Sequence, residues 1–198
     1  MSIVINDLKK RYGSKEVLKG LTYTFFDHKH YLIKGENGIG KSTLLKSIMR
    51  QIKFEGECIV NGRIAYAPED PVLPSFMTVY SFLKTFSTIF DDVENIDLLI
   101  EEELHNYNLE GYEKKQMGSL SKGEKMKVNI IQALLAPTEI LLLDEPLSGL
   151  DTESKKVLLK RIKEDKRLVI VISHETTAFR KTNFIMLRIK DGEIYENL

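Results

Sequence analysis

Residues 35–42 carry the clearest chemical signal of this sequence. The string GENGIGKS fits the G-x-x-x-x-G-K-[ST] template completely, between an apolar run and a helical pattern. Its glycines allow successive backbone N–H groups to point at phosphate oxygens, and the helix that follows adds its positive end. We expect Lys41 to reach the β- and γ-phosphates of a nucleotide and Ser42 to hold Mg²⁺ through its hydroxyl. The predicted nucleotide contacts of this loop are Gly35, Glu36, Asn37, Gly38, Ile39, Gly40, Lys41, Ser42 and Thr43.

Two carboxylates stand next to each other at the end of the apolar run EILLLD. Asp144 ends a predicted buried strand, where a carboxylate is costly unless it meets a cation or hydrogen-bond donors, and Mg²⁺ would satisfy it. Glu145 is the next residue, so its side chain points elsewhere and can face the γ-phosphate. There it would activate the attacking water as a general base, a role worth about 10²- to 10⁴-fold in rate. Structural salt bridges are the alternative for both carboxylates.

The segment SKGE, residues 121–124, allows two interpretations. Ser121 followed three residues later by Glu124 is a capping box, which could simply start the predicted helix 125–135. The same cap turns N–H groups, a hydroxyl and a helix N-terminus outward, and that arrangement binds phosphate. The chain already has a phosphate loop for its own nucleotide. The expected ligand of Ser121, Lys122 and Gly123 is therefore a nucleotide held by a second subunit.

A histidine follows the second uniform apolar run, RLVIVIS. His174 stands at the carboxyl end of that predicted strand, where the sites of α/β sheets assemble. It could contact the γ-phosphate and respond to its loss. A histidine at a strand end is often incidental, but the order of the strands in the sheet favours contact with the phosphate here.

Strand and helix patterns alternate along the chain and predict an α/β fold. The runs EILLLD and RLVIVIS are too uniformly apolar to be half exposed and are typical of parallel strands buried on both faces. The string EEE at 101–103 is expected to form a solvated face. Strands are predicted at 3–12, 18–26 and 30–34, helices at 41–49, 79–90, 96–107, 125–135 and 154–163, and a closing hairpin at Asp191-Gly192.

Composition limits the classes of partner. The 198 residues carry 29 basic and 29 acidic side chains, so a general nucleic-acid or anionic-membrane binder is disfavoured and no nucleic-acid partner is expected. Cys58 stands alone, which excludes an internal disulfide. No stretch approaches the roughly 18 to 20 apolar residues that a membrane span needs. We expect a single cytoplasmic domain, with a core of 1–68 and 137–198 and a helical subdomain of about 70–136.

The ordered set of motifs resembles the ATP-binding subunit of ATP-binding cassette (ABC) transporters, over essentially the whole chain. GENGIGKS resembles the Walker A loop, LSKGE the signature sequence, and ILLLDEP the Walker B strand with Glu145 as its catalytic glutamate. The string SGLD, residues 148–151, resembles the D-loop that passes between subunits, and His174 resembles the switch histidine. Tyr12, in KKRYG, resembles the aromatic residue that stacks on adenine in this family.

The resemblance implies a fold, two ligands and two partners. The fold is a P-loop NTPase (RecA-like) α/β core with a helical subdomain and an antiparallel β subdomain. The ligands are ATP and Mg²⁺, with Glu145 and His174 as the catalytic residues. The partners are an integral-membrane transporter subunit and a second ATPase cassette, a homodimer with Ser121, Lys122 and Gly123 acting in trans. The protein would then lie on the inner face of the cell membrane, held by its partner.

Three positions depart from the family pattern. YAPED places Glu69 where the family usually has a glutamine, and a carboxylate there can still meet Mg²⁺. Lys122 replaces the first glycine of the usual signature and adds positive charge near the partner's phosphate. NGRIAYAPE lacks the usual intervening piece, so the antiparallel subdomain should be trimmed. The compact form with Glu69 resembles bacterial export cassettes more than solute importers.

A soluble ABC-type ATPase that acts on ribosomes or DNA is the alternative function. A chromosome-maintenance ATPase would need a long coiled-coil insertion, and the sequence shows no sustained heptads. A translation-factor ATPase of this type normally carries two cassettes in one chain, and one is present here. Both observations favour the transporter subunit.

Overall fold

The computed structural model describes residues 2–89, 93–179 and 183–196, which form two sheets and a set of helices. The strands are β1 (Ser2–Tyr12), β2 (Lys15–Phe26), β3 (His30–Lys34), β4 (Glu55–Asn61), β5 (Ile64–Ala67), β6 (Ile140–Asp144), β7 (Leu168–Ile172), β8 (Phe184–Lys190) and β9 (Glu193–Glu196). The helices are α1 (Lys41–Ile48), α2 (Val79–Ser87), α3 (Ile96–Asn106), α4 (Lys122–Leu135) and α5 (Thr152–Glu164), with 3₁₀ turns at Met117–Ser119 and Thr176–Phe179.

A six-stranded sheet in the order β5-β6-β7-β3-β8-β9 forms the centre of the protein. Its first five strands are parallel, and β9 pairs antiparallel with β8 as the predicted closing hairpin. Every residue of β6 and β7 is buried. The prediction of parallel strands covered on both faces is confirmed, and with it the α/β fold.

A three-stranded antiparallel sheet in the order β2-β1-β4 covers one face of the central sheet. Its inner side chains, such as Ile3 and Phe25, join Leu44 of α1 and Leu142 of β6 in one apolar cluster. The strand β2 begins at Lys15, three residues before the predicted start, because the hairpin turn from β1 needs only Gly13 and Ser14. After β4 the chain enters β5 of the central sheet within two residues.

The helices α2, α3 and α4 pack against the other face, in a second apolar cluster that includes Phe82, Ile100 and Ile130. The helix α2 ends at Ser87, and the predicted end at residue 90 lies outside the described residues. Ile89 lies beyond the helix and is 58% exposed. The helix α4 begins three residues earlier than predicted, because the side chain of Ser121 caps it directly.

One acidic side chain of the EEE string is not solvated as predicted. Glu103 is only 2% exposed, and its carboxylate pairs with Arg161 of α5 at 2.5 Å. The ion pair therefore joins α3 to α5 beside the central sheet. Among the described helices, none combines the length and apolarity that crossing a membrane requires.

Candidate nucleotide-binding and hydrolysis site

A cleft of about 550 Å³ opens at the carboxyl ends of β3 and β6, within the size range of small-molecule sites. It brings together residues that the sequence predicted at five separate places, which are the phosphate loop, Tyr12, Glu69, the Asp144–Glu145 pair and His174. The lining residues are Tyr12, Lys15, Val17, Asn37, Gly38, Gly40, Lys41, Ser42, Thr43, Glu69, Asp144, Glu145 and His174.

The phosphate loop wraps around the side chain of Lys41. The ammonium group donates hydrogen bonds to the carbonyl oxygens of Gly35 at 2.7 Å and Glu36 at 3.0 Å. Burial lowers the pKa of Lys41, although the carboxylates of Glu145 and Asp144 oppose this shift. The positively charged ammonium group of Lys41 is thus held at the centre of the loop, at the start of α1.

Three of the nine loop residues predicted as nucleotide contacts do not line the cleft. Gly35 and Glu36 instead offer their carbonyl groups to Lys41, and Ile39 packs against the apolar cluster below. Gly40 requires glycine, since its φ is 116° and a Cβ there would lie 2.9 Å from Cγ1 of Val17. The close approach of Gly40 to β2 brings the loop against the Tyr12 hairpin.

Oxygen donors suited to Mg²⁺ meet at the end of β6. Asp144 is 4% exposed, and the hydroxyl groups of Ser42 and Tyr66 lie next to its carboxylate. Burial raises the pKa of Asp144, with the Glu69 carboxylate adding to the shift. Such a buried carboxylate is most stable as an anion when a cation lies next to it.

The donor set fits Mg²⁺ bound jointly with phosphate oxygens. No group of three His, Cys, Asp or Glu side chains forms a ready metal site in the part of the chain that the structure describes. Mg²⁺ usually takes one or two carboxylates and completes its shell with substrate phosphates and water. Ser42 and Asp144, with Glu69 in the same cleft, match that chemistry.

Glu145 turns away from Asp144 and toward His174. Its φ of 47° is rare for a residue with a side chain, and the turn places its carboxylate in the cleft. Oε2 accepts a hydrogen bond from the backbone N–H of His174 at 3.1 Å. Burial is the main cause that raises the pKa of Glu145, against the hydrogen bond from His174.

The other carboxylate oxygen of Glu145 retains free hydrogen-bonding capacity. Oε1 is buried without a hydrogen bond of good geometry, and it lies 3.3 Å from Nε2 of His174. The same Nε2 lies 3.3 Å from the Lys41 ammonium nitrogen. The imidazole therefore stands between a carboxylate and a cation, and its tautomer decides which of the two it bonds.

The signature residues lie outside this cleft. The hydroxyl of Ser121 accepts a hydrogen bond from the backbone N–H of Glu124 at 3.3 Å, and the Glu124 carboxylate accepts one from the Ser121 N–H at 2.7 Å. Ser121, Lys122 and Gly123 thus form the start of α4, and none of them lines the cleft of its own chain. Lys122 pairs with Asp70 at 3.1 Å.

A buried lysine, which the sequence reasoning missed, ties the signature helix to the SGLD segment. The Lys127 ammonium contacts the Asp151 carboxylate at 2.6 Å and donates to the Tyr107 carbonyl at 2.8 Å. This contact holds the pKa of Asp151 well below its usual range. The sequence did contain a sign of this contact, since Lys127 falls on the side of the predicted helix that carries the apolar residues, where a cation needs a partner.

Two further lining residues were not predicted. Lys15 and Val17 follow Tyr12 in the hairpin, and Lys15 is paired with Tyr12 across the turn. A hairpin with a two-residue turn places these side chains beside the aromatic ring, so the Tyr12 position together with the turn could have indicated them.

Both the sequence and the fold resemble known proteins. The family model described as "ABC transporter" matches residues 18–148. The chain is 32% identical to an energy-coupling factor transporter ATP-binding protein of Thermotoga maritima, over 98% of this chain and 80% of that protein. It is 29% identical to an uncharacterized ABC transporter ATP-binding protein of Methanocaldococcus jannaschii, over 96% of this chain and 75% of that protein.

A solved structure of similar fold covers the whole chain. It is described as the ATP-binding subunit of an ABC transporter, and it superimposes with a TM-score of 0.92 at 25% identity. The alignment covers 100% of this chain and 90% of the other. The similarity therefore includes both sheets and the helices between them.

Proposed function

Because this chain belongs to the ABC transporter family as an ATP-binding, ATP-hydrolysing subunit, we propose that it powers a membrane transporter as one of two cassettes closing head to tail. One observation carries the proposal. A complete phosphate loop and the hydrolysis carboxylates share one cleft, whereas the LSKGE segment starts a helix outside it. A single chain of this shape leaves the γ-phosphate side of its nucleotide open to a second chain.

Different residues of the cleft bind the base, the phosphates and the metal ion of the nucleotide. Tyr12 stacks on adenine, and the N–H groups of residues 37–43 surround the phosphates together with the Lys41 ammonium group. Ser42 and Asp144 would hold Mg²⁺, with Glu69 next to them, and the metal supplies positive charge that neutralises the phosphate oxygens. We propose a single domain with a core of 1–68 and 137–198 and a helical subdomain of about 70–136.

Hydrolysis depends on the buried carboxylate. Oε1 of Glu145 takes the proton of the attacking water, since this oxygen is buried and accepts no other good hydrogen bond. The backbone N–H of His174 holds Oε2 and fixes the orientation of the carboxylate. The His174 ring lies between Glu145 and Lys41, where it would contact the γ-phosphate and respond to its loss.

The second cassette completes the site. Ser121, Lys122 and Gly123 of one chain contact the γ-phosphate bound by the other, through the hydroxyl, the ammonium group and the free N–H groups of the helix start. ATP therefore binds the closed state more tightly than the open state, and loss of the γ-phosphate removes that difference. We propose a homodimer.

The membrane partner is expected to dock beside α2. Phe76 is 79% exposed and Val72 is 98% exposed, in the loop that leads to this helix. The hydroxyl of Tyr80 in α2 donates a hydrogen bond to Asp97 at 2.7 Å within the subdomain. We propose that the chain lies in the cytoplasm on the inner face of the membrane, held by this contact.

Substitution of Phe76 tests the docking surface. Phe76→Asp should abolish co-purification of the membrane partner, because it places a charge in the apolar contact, and should leave the ATPase rate of the isolated chain unchanged. The matched control is Phe26→Asp, which alters an aromatic residue 60% exposed on the antiparallel sheet. Retained partner binding by Phe76→Asp would exclude this surface.

We further propose export as the direction of transport. The direct β4–β5 connection keeps the antiparallel sheet to three strands in the described residues, and Glu69 lies in the cleft, both as in the export cassettes that this sequence resembles. Identifying the partner tests the direction, because a solute importer would co-purify with a substrate-capturing component.

The experiment that tests the function is a pull-down of tagged Glu145→Gln protein with ATP from detergent-solubilised source cells. This variant keeps ATP bound and holds the closed dimer. Mass spectrometry should find a polytopic membrane protein that is absent when Phe76→Asp protein is used instead. Ribosomes or DNA-bound proteins in the eluate would replace the transporter by a soluble ABC-type ATPase.

A further inference from the structure

The ring of Tyr12 has a cation on one of its faces. The Lys10 ammonium nitrogen lies over the ring, 4.9 Å from its centroid. Lys10 and Tyr12 are two residues apart on β1, so their side chains leave the strand on the same side. The two side chains are therefore in direct contact through the ammonium group and the ring.

The ammonium group of Lys10 is itself anchored. It donates a hydrogen bond to the carbonyl oxygen of Lys53 at 2.5 Å. Lys53 lies in the connection between α1 and β4, and α1 starts at the phosphate loop. The position of the cation is thus linked to the same helix that begins the phosphate site.

The free end of β1 needs such a support. Pairing with β4 ends at Lys9, and the pairing with β2 is irregular between Lys10 and Arg11. Tyr12 is 49% exposed at the tip of this hairpin. A ring so placed would have several orientations if side chains did not select one.

Lys10 lies outside the cleft that Tyr12 lines. Tyr12 lines the cleft, whereas Lys10 lines a separate surface depression with Lys53 and Glu55. The inner face of the ring therefore stays free for a ligand.

We propose that Lys10 is a positioning residue for the nucleotide base, whose ammonium group holds the outer face of the Tyr12 ring and presents the inner face to adenine. This inference rests on the proposed ATP site. The cation draws on the negative charge of the ring face, which reduces repulsion between the ring and a stacked purine. It also removes ring orientations that would otherwise be lost on binding.

ADP titration by calorimetry tests the proposal, because ADP carries the base but no γ-phosphate to drive dimer closure. Lys10→Met should weaken ADP binding by about two- to fivefold, the effect of an exposed cation–π contact. Lys10→Arg keeps a cation and should bind ADP as the unchanged chain does. Lys9→Met is the matched control, since the Lys9 ammonium pairs with Asp7 at 2.8 Å and not with Tyr12.

Two further measurements distinguish an effect of Lys10 on the Tyr12 ring from a general destabilisation of the hairpin. In a Tyr12→Leu chain, Lys10→Met should cause no additional loss, and binding of inorganic tripolyphosphate should be the same with and without Lys10→Met. Three results would overturn the role of Lys10 while leaving the nucleotide site in place. They are an ADP affinity that Lys10→Met does not lower, an equal loss from Lys10→Met in the Tyr12 and Tyr12→Leu chains, and an equal loss for ADP and tripolyphosphate. An unchanged ADP affinity of Tyr12→Leu would remove Tyr12 from the nucleotide site and this inference with it.

Discussion

At the scale of residues, burial decides which carboxylates can do chemistry. Glu145 and Asp144 lie within the cleft with pKa values raised mainly by burial, whereas Glu175, one residue beyond His174, is exposed and pairs with Lys155 at 2.8 Å. A general base works best when its pKa approaches the working pH. The raised pKa of Glu145 therefore moves it toward the range in which it can accept a proton from water.

Glu145→Gln should keep ATP binding and reduce turnover by about 10²- to 10⁴-fold, because an amide cannot accept the water proton. Phosphate release and nucleotide affinity should be measured on the same preparation, with Glu175→Gln as the control for loss of a nearby acidic group. The acidic limb of the turnover profile should lie above the ordinary glutamate pKa of about 4.3, since activity falls as pH falls through the raised value. Near-normal turnover would exclude the base role.

Asp144→Asn and Asp165→Asn should change stability in opposite directions. The folded pKa of Asp144 is raised by burial, so its charge opposes folding once pH rises above the unfolded value, and removing that charge should stabilise the nucleotide-free chain at neutral pH. Arg167 holds the pKa of Asp165 below its usual range despite burial, so the charge of Asp165 supports folding above its unfolded pKa. Thermal unfolding at pH 7 without nucleotide tests the pair, and shifts of equal sign would contradict this account.

At the scale of elements, partly buried ion pairs join helices to one another in addition to the apolar clusters. Arg161 joins α5 to Glu103 of α3, and Lys127 joins α4 to the Asp151 cap of α5. Oε2 of Glu103 has no hydrogen-bond partner, which makes its carboxylate dependent on Arg161. The helices that carry the signature and the SGLD segment are thereby held to one another through α5.

Arg161→Met should destabilise the chain by roughly 2 to 3 kcal/mol. This is less than the about 3 to 5 kcal/mol for a fully buried pair, because the Arg161 side chain is 42% exposed and water screens it. Urea unfolding provides the measurement, and Lys160→Met on the exposed side of α5 provides the control. The double variant with Glu103→Leu should recover most of the loss, since no unpaired carboxylate remains. Failure of that recovery would show that Arg161 acts through packing instead.

At the scale of the whole molecule, the cleft and the signature segment belong to different surfaces of one chain. The phosphate loop lies at the carboxyl ends of the parallel strands, and Ser121 begins a helix of the other layer. We propose that two copies related by a two-fold axis close both sites, since in such a dimer the signature segment of each chain faces the phosphate loop of the other.

Mixing two inactive variants should restore activity. A Lys41→Ala chain has a defective phosphate loop and an intact signature segment. A Gly123→Asp chain has an intact phosphate loop and a defective signature segment. Their mixed dimer has one intact composite site of two, and about half of the dimers are mixed if equal amounts of the chains pair at random. About a quarter of the activity of the unsubstituted protein is therefore expected. ATPase assays of each variant alone and of the mixture give the answer. No recovery in a mixture that forms dimers would argue against sites shared between chains.

The sequence by itself determined what depends on near neighbours along the chain. The phosphate loop, the uniform strands β6 and β7 and the capping box of Ser121 follow from residue types within a few positions of one another. Local hydrogen bonds and side-chain periodicity carry such features, so their order along the chain was enough to predict most of the α/β fold and most of the cleft.

The tertiary structure decided which distant residues meet. The carboxylate of Glu145 contacts His174, 29 residues away, and Lys127 reaches Asp151 from another helix. The acidic string 101–103 predicted a solvated face, but Glu103 is buried. The packing of α3 against α5 places Arg161 beside it, and the sequence near Glu103 gives no sign of that contact. These contacts depend on how the sheets and helices of the described residues pack around the apolar clusters, and no local pattern of residue types predicts that packing.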